Sequence, residues 1–188
     1  TLLPMIPNQI KEPPHVSREQ AEQIWSAAKS LEAMCFIKAL WFTGLRITEI
    51  LAWRVHDFKQ AQGNFTIDIV RLKKRTKTVE TLPLPYGLGD ALNTLIVTLK
   101  LRPGDKFFPL HENTYRYELR AAAKKAGLEN WQKIHPHLFR HGFVYDKVKK
   151  GLNPFLVSKL VGHQNLGITL TYYQPTQEDV RQAMRDNK

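Results

Sequence analysis

Apolar residues recur at helical spacing along most of the chain and alternate with polar residues in one region only. The alternation runs over residues 65–72 and again over residues 78–84, with a basic, polar segment between them. Such alternation is typical of half-buried strands, and two runs around a short polar segment predict a β-hairpin with a cationic tip. We therefore expect an α+β domain that is mostly helical and has one small antiparallel sheet.

Helices are predicted where apolar periodicity is bounded by capping residues, glycine or proline. Ser17 and Gln20 form a capping box, and Asn153 followed by Pro154 begins a later helix. The predicted helices span residues 18–29, 31–42, 45–53, 90–100, 113–126, 136–150, 154–162, 166–173 and 176–187. The sequence has no strand–helix alternation and no glycine-rich phosphate loop, which argues against a Rossmann or P-loop enzyme.

The N-terminal segment differs in composition from the rest of the chain. Residues 1–16 contain four prolines and no periodicity, which predicts a linker or arm, and residues 17–188 are expected to form one domain. The single cysteine, Cys35, excludes an internal disulfide and a multi-cysteine metal site. The longest apolar stretch, residues 33–45, is interrupted by Lys38 and is too short to span a bilayer. We expect a cytoplasmic protein without a membrane partner.

The charge balance narrows the choice of partner. The chain of 188 residues has 28 lysines and arginines against 17 aspartates and glutamates, a formal net charge of +11. A surplus of this size, spread along the whole chain, favours a polyanionic partner such as nucleic acid. Charge alone does not distinguish among DNA, RNA and an anionic membrane surface.

Two short motifs contain candidate catalytic residues, an arginine in the first and a tyrosine in the second. In TGLRITE, Arg46 and Glu49 lie one helical turn apart and can form an ion pair. In LVGHQNLGITLTYY, His163 is followed nine residues later by Tyr172. Each motif alone is also compatible with a surface ion pair or with a tyrosine that simply packs in the core.

A third motif, HPHLFRH, places His137, Arg140 and His141 on one face of a helix. A guanidinium can bind two oxygens of a phosphodiester, and a neighbouring imidazole can take or give a proton. Metal binding is an alternative, because His137 and His141 are spaced i,i+4. It is disfavoured since the glutamate of an HExxH motif is missing and Arg140 would repel a cation.

Together with a lysine of the basic hairpin, the three motifs supply what phosphoryl transfer on DNA requires without a metal ion. Two guanidiniums offset the charge on the non-bridging oxygens in the transition state. A tyrosine attacks phosphorus and conserves the phosphodiester energy in a covalent intermediate. A cationic side chain donates a proton to the leaving oxygen.

These motifs resemble the catalytic domain of tyrosine recombinases, the phage-integrase family that includes Cre and the Xer recombinases. The resemblance covers nearly the whole chain, from about Ser17 to the C-terminus. It implies the tyrosine-recombinase fold and a site-specific recombinase or integrase that cuts and rejoins double-stranded DNA through a 3′-phosphotyrosyl intermediate. It also implies that there is no cofactor, no metal and no small-molecule substrate.

The resemblance extends to organisation and assembly. It implies that residues 1–16 are an interdomain linker and that residues 17–188 are the catalytic domain, with a tail helix over residues 176–187. In the family such a tail often docks on a neighbouring protomer. The full-length protein is therefore expected to self-associate as a synaptic tetramer on DNA, in the recombination or integration of a mobile element.

The resemblance also assigns roles to individual residues. Arg46 and Arg140 correspond to the two arginines that clamp the scissile phosphate. His137 corresponds to a general base or hydrogen-bond partner of the nucleophile, and His163 to a residue that hydrogen-bonds the phosphate. Tyr172 corresponds to the nucleophile.

Two of these assignments leave alternative residues open. Lys74 fits best as the hairpin lysine that acts as general acid to the 5′ oxygen, and Lys73 and Lys77 are alternatives because hairpin length varies in the family. Tyr173 is adjacent to Tyr172, and neighbouring helix positions point about 100° apart, so only one of them can face the phosphate. The spacing from the motif histidine favours Tyr172.

Three other functions fit parts of the same pattern. A recombinase-like module could bind DNA without cutting it, and a type IB topoisomerase would use the same chemistry without exchange between duplexes. A basic RNA-binding domain would bind without a covalent product and would not need Arg46 or Arg140.

Overall fold

A computed structural model describes residues 13–73, 76–163 and 165–173, apart from the side chains of residues 72, 73 and 76. Three predictions fall outside this part of the chain. They concern most of the predicted linker, the tail helix over residues 176–187, and Lys74.

The described residues form a mostly helical domain with one small antiparallel sheet, which confirms the predicted fold class. The helices are α1 (Arg18–Ser26), α2 (Leu31–Thr43), α3 (Ile47–Ile50), α4 (Tyr86–Leu99), α5 (Glu112–Lys125), α6 (Pro136–Lys149), α7 (Pro154–Val161) and α8 (Leu166–Leu170). The strands are β1 (Phe58–Ala61), β2 (Asn64–Lys73) and β3 (Thr76–Leu84). Short 3₁₀ turns occupy Val55–Asp57 and Trp131–Lys133.

The sheet is an antiparallel meander with the strand order β1-β2-β3. In the predicted hairpin, Phe65 pairs with Leu84 at one end and Lys73 with Thr76 at the other. Strand β1 was not predicted, because its four residues contain a single large apolar side chain, Phe58, which pairs with Ile67. So short a strand shows no alternation along the sequence.

The predicted helix over residues 45–53 is wrong in its second half, since α3 ends at Ile50. The N–H groups of residues 51–53 still bond to carbonyls three or four residues earlier, and from Trp53 onward the backbone pairs with a distant segment. The carbonyl oxygen of Trp53 accepts from the N–H of Phe107 at 3.2 Å, and the N–H of Val55 donates to the carbonyl oxygen of Asp105 at 3.0 Å. Tertiary pairing here overrides the local helical pattern.

The main hydrophobic core is enclosed by α1, α2, α4, α5 and the inner face of the sheet. Its largest fully buried side chains are Trp53, Tyr115, Phe36, Phe107, Phe108, Phe139, Ile24, Ile37, Leu40, Leu45, Ile50 and Ile67. Burial of each large apolar side chain contributes about 1.5–3 kcal/mol to stability. This core fixes the ends of α2 and α6, from which the site described below is built.

A second, smaller core joins α6 to α7 and to the turn after α8. Its buried members are Phe143, Val144, Val148, Val157, Val161 and Tyr172. Tyr172 is thus packed as a core residue although it stands near the end of the described chain. The packing fixes the direction in which its hydroxyl points.

The chain before α1 packs directly on α6. The N–H of Val16 donates to the carbonyl oxygen of Leu138 at 3.1 Å, and a Cβ atom on Gly142 would lie 2.2 Å from the carbonyl oxygen of Val16. Only glycine permits this approach. In residues 13–73, 76–163 and 165–173, no helix has both the length and the apolar character needed to cross a bilayer.

Candidate active site

The TGLRITE motif is a helix stop followed immediately by a helix start. Gly44 ends α2 in the left-handed conformation, with φ of +60°. Arg46 then caps α3, and its N–H donates to Oε2 of Glu49 at 2.8 Å. The Arg46 side chain is 44% exposed, and its Nη2 donates to the carbonyl oxygen of Gly162 at 3.4 Å. The guanidinium is therefore placed at the surface beside the end of α7.

Arg140 lies on α6 and is only 3% exposed. Its Nη1 donates to the carbonyl oxygen of Gly44 at 2.9 Å. Its Nη2 is also buried but has no hydrogen-bond partner among the described residues. Burial lowers the pKa of Arg140 to about 10, helped by the nearby charge of Arg46, so the guanidinium remains a cation at neutral pH. A buried cation with a free donor is suited to bind an anion.

His163 follows the left-handed residue Gly162, which ends α7. Its Nδ1 lies 2.8 Å from Oγ1 of Thr169 on α8, so the ring has a fixed orientation. Burial first, and then the charges of Arg140 and Arg46, lower the pKa of His163 to about 4. The imidazole is neutral at pH 7 and lies in the field of both arginines.

The two adjacent tyrosines differ sharply in their surroundings. Tyr172 is 5% exposed, whereas Tyr173 is 41% exposed. The Tyr172 hydroxyl is hydrogen-bonded to Nδ1 of His141. Burial raises the pKa of Tyr172 to about 12, and the charge of Arg140 partly opposes this effect. Tyr172 is therefore a neutral phenol at pH 7, held against α6.

His137 and His141 lie one turn apart on α6 and have different environments. His137 is exposed, and its ring meets that of His141 edge to face at a centroid distance of 5.5 Å. Burial and the charge of Arg140 lower the pKa of His137. Among the described contacts, the Tyr172 hydroxyl is hydrogen-bonded to His141 and not to His137, which is exposed.

The lysine predictions remain predictions. Lys74 lies outside the described residues, and for Lys73 only the backbone is described. Lys77 is exposed on β3, opposite Leu72. The hairpin that carries all three lysines is nevertheless tied to the site by Arg71.

Arg71, which was not among the predicted site residues, is 5% exposed. Its Nε donates to Oε2 of Glu80 at 2.8 Å, and its Nη1 lies 3.5 Å from Oε1 of Glu49. Its Nη2 donates to the carbonyl oxygen of Leu160. Arg71 shares the inward face of β2 with Phe65, Ile67 and Ile69. An arginine in this buried register was the signal that could have revealed it.

The structure thus brings five of the six predicted site residues to one place. Besides burial, the charges of Arg46 and Arg140 lower the pKa values of His137 and His163, and Tyr172 interacts with Arg140. Within residues 13–73, 76–163 and 165–173, no group of three or more histidine, cysteine, aspartate or glutamate side chains could hold a metal ion.

Residues 15–179 match the model of the phage integrase family. The chain belongs to the phage integrase family. The match begins just before α1 and includes each of the six predicted site residues, Lys74 among them. Family membership was predicted from the three motifs and is confirmed.

Named relatives in the phage integrase family include a tyrosine recombinase of Pseudothermotoga lettingae. It is 30% identical over 140 residues, which cover 72% of this chain and 47% of the relative. Tyrosine recombinase XerA of Saccharolobus solfataricus is 26% identical over 162 residues, which cover 86% of this chain and 52% of that protein. The chain therefore spans about half the length of these two curated relatives.

Solved structures support the integrase fold. A XerH site-specific recombinase bound to difH substrate superposes with a TM-score of 0.74 at 22% identity, over 93% of this chain and 54% of that one. The catalytic domain of bacteriophage HP1 integrase superposes with a TM-score of 0.68 at 16% identity. The second match covers 94% of this chain and 96% of that domain, so the likeness extends over a whole integrase catalytic domain.

Proposed function

We propose that this domain cuts and rejoins double-stranded DNA as the catalytic domain of a site-specific recombinase or integrase. Tyr172 is the proposed nucleophile. Arg46 and Arg140 are proposed to bind the scissile phosphate, and His163 to hydrogen-bond it. His137, which is exposed on α6, is proposed to assist proton transfer at the same phosphate.

One observation carries the proposal most strongly. Arg140 is a buried cation whose Nη2 has no partner among the described residues, and its charge acts on Tyr172. A donor buried without a partner costs about 1–3 kcal/mol, which is offset when an anion arrives. A phosphodiester bound there would sit beside a tyrosine already held in the small core. The Arg140 guanidinium would then stabilise the charge of the same phosphate that Tyr172 attacks.

The proposed reaction balances without a cofactor. The Oη atom of Tyr172 bonds to phosphorus, its proton passes to a base, and the bond from phosphorus to the 5′ oxygen breaks. The 5′ oxygen takes a proton from a lysine of the β2–β3 hairpin, with Lys74 the first choice and Lys73 and Lys77 the alternatives. Religation is the reverse, in which the 5′ hydroxyl attacks the 3′-phosphotyrosyl bond.

DNA as the partner is supported by charge and by the relatives. The net charge of +11 favours a polyanion. XerH and the Tn1549 transposon integrase, which share the fold, are described in complex with DNA. We propose further that the full-length protein assembles as a synaptic tetramer on DNA and acts in the prokaryotic cytoplasm, in the recombination or integration of a mobile element.

A domain organisation is part of the same proposal. Residues 1–16 would connect the catalytic domain, residues 17–188, to a preceding domain, and residues 176–187 would form the tail helix. The family match over residues 15–179 supports the domain boundary. The packing of Val16 on α6 gives this connection a fixed point of attachment.

A covalent-adduct assay tests the function. The 188-residue chain is incubated with negatively supercoiled plasmid, quenched with detergent and resolved under denaturing conditions. We expect a protein–DNA adduct that persists in EDTA. Tyr172→Phe should abolish the adduct, while Tyr173→Phe, which removes an exposed hydroxyl one residue away, serves as the matched control and should retain it.

The alternatives predict different results. A non-cutting module binds the plasmid in a salt-sensitive way but gives no adduct with any variant. A type IB topoisomerase gives the adduct and relaxes plasmid, yet does not exchange strands between duplexes when the full-length protein is used. An RNA-binding domain prefers RNA and tolerates loss of Arg46 or Arg140. Any of these outcomes contradicts the recombinase proposal.

A further inference from the structure

The Tyr172 hydroxyl makes its hydrogen bond to a histidine of the HPHLFRH motif that was not among the six predicted site residues. That partner is Nδ1 of His141, on the turn of α6 that follows Arg140. The rings of the two residues are tilted by 32° at a centroid distance of 5.8 Å. We propose that His141 is a catalytic residue, which holds the Tyr172 hydroxyl in line for attack and accepts its proton as the bond to phosphorus forms.

This inference rests on the proposed function, and the position of His141 explains why it suits the role better than its neighbour. His141 is half-buried beside the small core that contains the Tyr172 ring. His137, one turn earlier on α6, is exposed to solvent. A base must lie within hydrogen-bond reach of the proton that it removes. In the described structure His141 meets this condition for the phenolic proton, and His137 is left to act on the substrate side.

Among the described residues, the charged groups with the largest effect on His141 are basic. Arg140 and His137 act on it from α6 itself, His135 from the residue that caps α6, His15 from the segment before α1, and Tyr172 from the turn after α8. Burial and these charges lower the pKa of His141 to about 4. At neutral pH the ring is therefore uncharged, and its Nδ1 is free to accept the hydrogen bond.

The same surroundings make the transfer depend on substrate. With no phosphate bound, a phenol with a pKa of about 12 faces an imidazole with a pKa of about 4, so the proton stays on Tyr172. A phosphodiester bound at Arg140 would bring a negative charge to the cationic cluster and raise the proton affinity of His141. The nucleophile would thus be activated only when its target is in place.

The proposed step balances in both directions. The proton moves from Oη of Tyr172 to Nδ1 of His141, the Oη–P bond forms, and the P–O5′ bond breaks with protonation of the leaving oxygen by the hairpin lysine. In religation the 5′ hydroxyl gives its proton back to the hairpin lysine and the P–O5′ bond re-forms. The Oη–P bond breaks, and His141 returns its proton to the departing phenolate. No oxidant, reductant or metal is needed.

The hydrogen bond can be tested without DNA. In the 188-residue chain labelled with ¹⁵N-histidine, NMR should show His141 as the Nε2–H tautomer, with Nδ1 as acceptor. Tyr172→Phe should move the His141 Nδ1 signal, whereas Tyr173→Phe and His137→Gln should leave Nδ1 of His141 as acceptor. A protonated Nδ1, or a signal unchanged in Tyr172→Phe, overturns the inference and leaves the proposed function standing.

The catalytic role is tested by the rate of adduct formation on supercoiled plasmid. His141→Ala should slow attack by at least about 100-fold, the usual contribution of a general base. Added imidazole should restore part of the rate in His141→Ala and none in Tyr172→Phe. His56→Gln, which changes an exposed histidine on the turn before β1, controls for histidine loss and should keep the wild-type rate.

The outcomes separate the two claims. An adduct made by wild type and lost in Tyr172→Phe, with full rate in His141→Ala, overturns the role of His141 while the function stands. A slow His141→Ala variant that imidazole does not rescue, and whose melting temperature is lowered, indicates a structural role and also overturns it. Absence of any wild-type adduct overturns the function and with it this inference.

Discussion

Arg71 of β2 donates a hydrogen bond to the carbonyl oxygen of Leu160, which lies near the end of α7 and 89 residues further along the chain. The same guanidinium lies 3.5 Å from the carboxylate of Glu49 and 2.8 Å from that of Glu80. One buried cation therefore ties the hairpin to α3 and to the loop that carries His163. These contacts of Arg71 connect the elements that carry the site.

The first prediction concerns Arg71→Met. Removal of one partner from a buried ion pair typically costs about 3–5 kcal/mol, and among the described residues Glu49 would keep only its contacts with Arg46. The Arg71 side chain is 6% exposed and that of Glu49 11%. We expect the free energy of unfolding, measured by chemical denaturation, to fall by about 3 kcal/mol.

A surface ion pair between β1 and β2 provides the control. Nζ of Lys59 on β1 lies 2.6 Å from Oδ2 of Asp68 on β2, but the Lys59 side chain is 58% exposed. Because exposed pairs contribute about 0–1 kcal/mol, Lys59→Met should cost less than about 1 kcal/mol. Equal losses in the two variants would show that Arg71 does not brace the fold.

The second prediction concerns Gly44→Ala. At φ of +60° an alanine is strained, and its Cβ would also lie 2.5 Å from Cδ1 of Phe143. Overpacking of this kind costs about 1–3 kcal/mol. Because the carbonyl oxygen of Gly44 accepts from Arg140, we expect both lower stability and slower adduct formation.

Gly151→Ala is the matched control for this change. Gly151 has φ of +80°, yet nothing lies within 4 Å of an added Cβ. It should therefore show only the cost of about 1–2 kcal/mol for the backbone conformation and no loss of adduct rate. A Gly44→Ala variant as stable and as active as Gly151→Ala would contradict the proposed tight seat for Arg140.

The third prediction concerns Arg140→Lys. A lysine keeps the charge but cannot donate to the Gly44 carbonyl and to a bound phosphate with two fixed donors. Loss of one preorganised donor to a transition state typically costs about 100- to 1000-fold in rate. We expect such a loss in single-turnover adduct formation, with plasmid affinity reduced much less.

Arg116→Lys controls for the loss of a guanidinium. Arg116 pairs with Glu112 one turn away on α5 and is 35% exposed. Its replacement should leave the rate of adduct formation unchanged. A similar rate in both lysine variants would remove Arg140 from the phosphate site.

The fourth prediction concerns pH and stability. His141 and His163 have pKa values of about 4 when folded, below the ordinary value of 6.5. The unfolded chain therefore binds more protons than the folded one between these two values, so stability falls as the pH drops from about 6.5 to 4. Above the ordinary value the contribution is fully present.

Chemical denaturation curves measured between about pH 4 and pH 6.5 check that stability falls as the pH drops. In His141→Gln the dependence on pH should be shallower than in wild type, because one of the two groups no longer titrates. A slope unchanged by His141→Gln would contradict the buried, neutral state of that ring.

Much of the fold was accessible from the sequence because its boundaries are set by local chemistry. Gly44 and Gly162 end helices in the left-handed conformation, and Asn153 caps α7 through a 2.8 Å bond to the N–H of Phe155. The hairpin follows from alternation alone. Each of these signals depends on a few adjacent residues, so no tertiary contact is needed to read it.

The rest depends on contacts between distant segments. The role of Arg71 emerges only when α7 packs against the hairpin. The sequence placed both His137 and His141 on one face of α6, yet only the turn after α8 decides that Tyr172 meets His141. Likewise the end of α3 is set by the pairing of Trp53 with Phe107. Such choices are made by tertiary packing and leave no local pattern.

The central claim is that Tyr172 forms the covalent bond to DNA, and mass spectrometry tests it most directly. Adduct trapped on supercoiled plasmid is digested with nuclease and trypsin, and the peptide over residues 160–181, which holds both tyrosines, is fragmented. We predict a nucleotide 3′-phosphate on Tyr172 in wild type and in Tyr173→Phe. A nucleotide on Tyr173, on another residue, or on none would contradict the account.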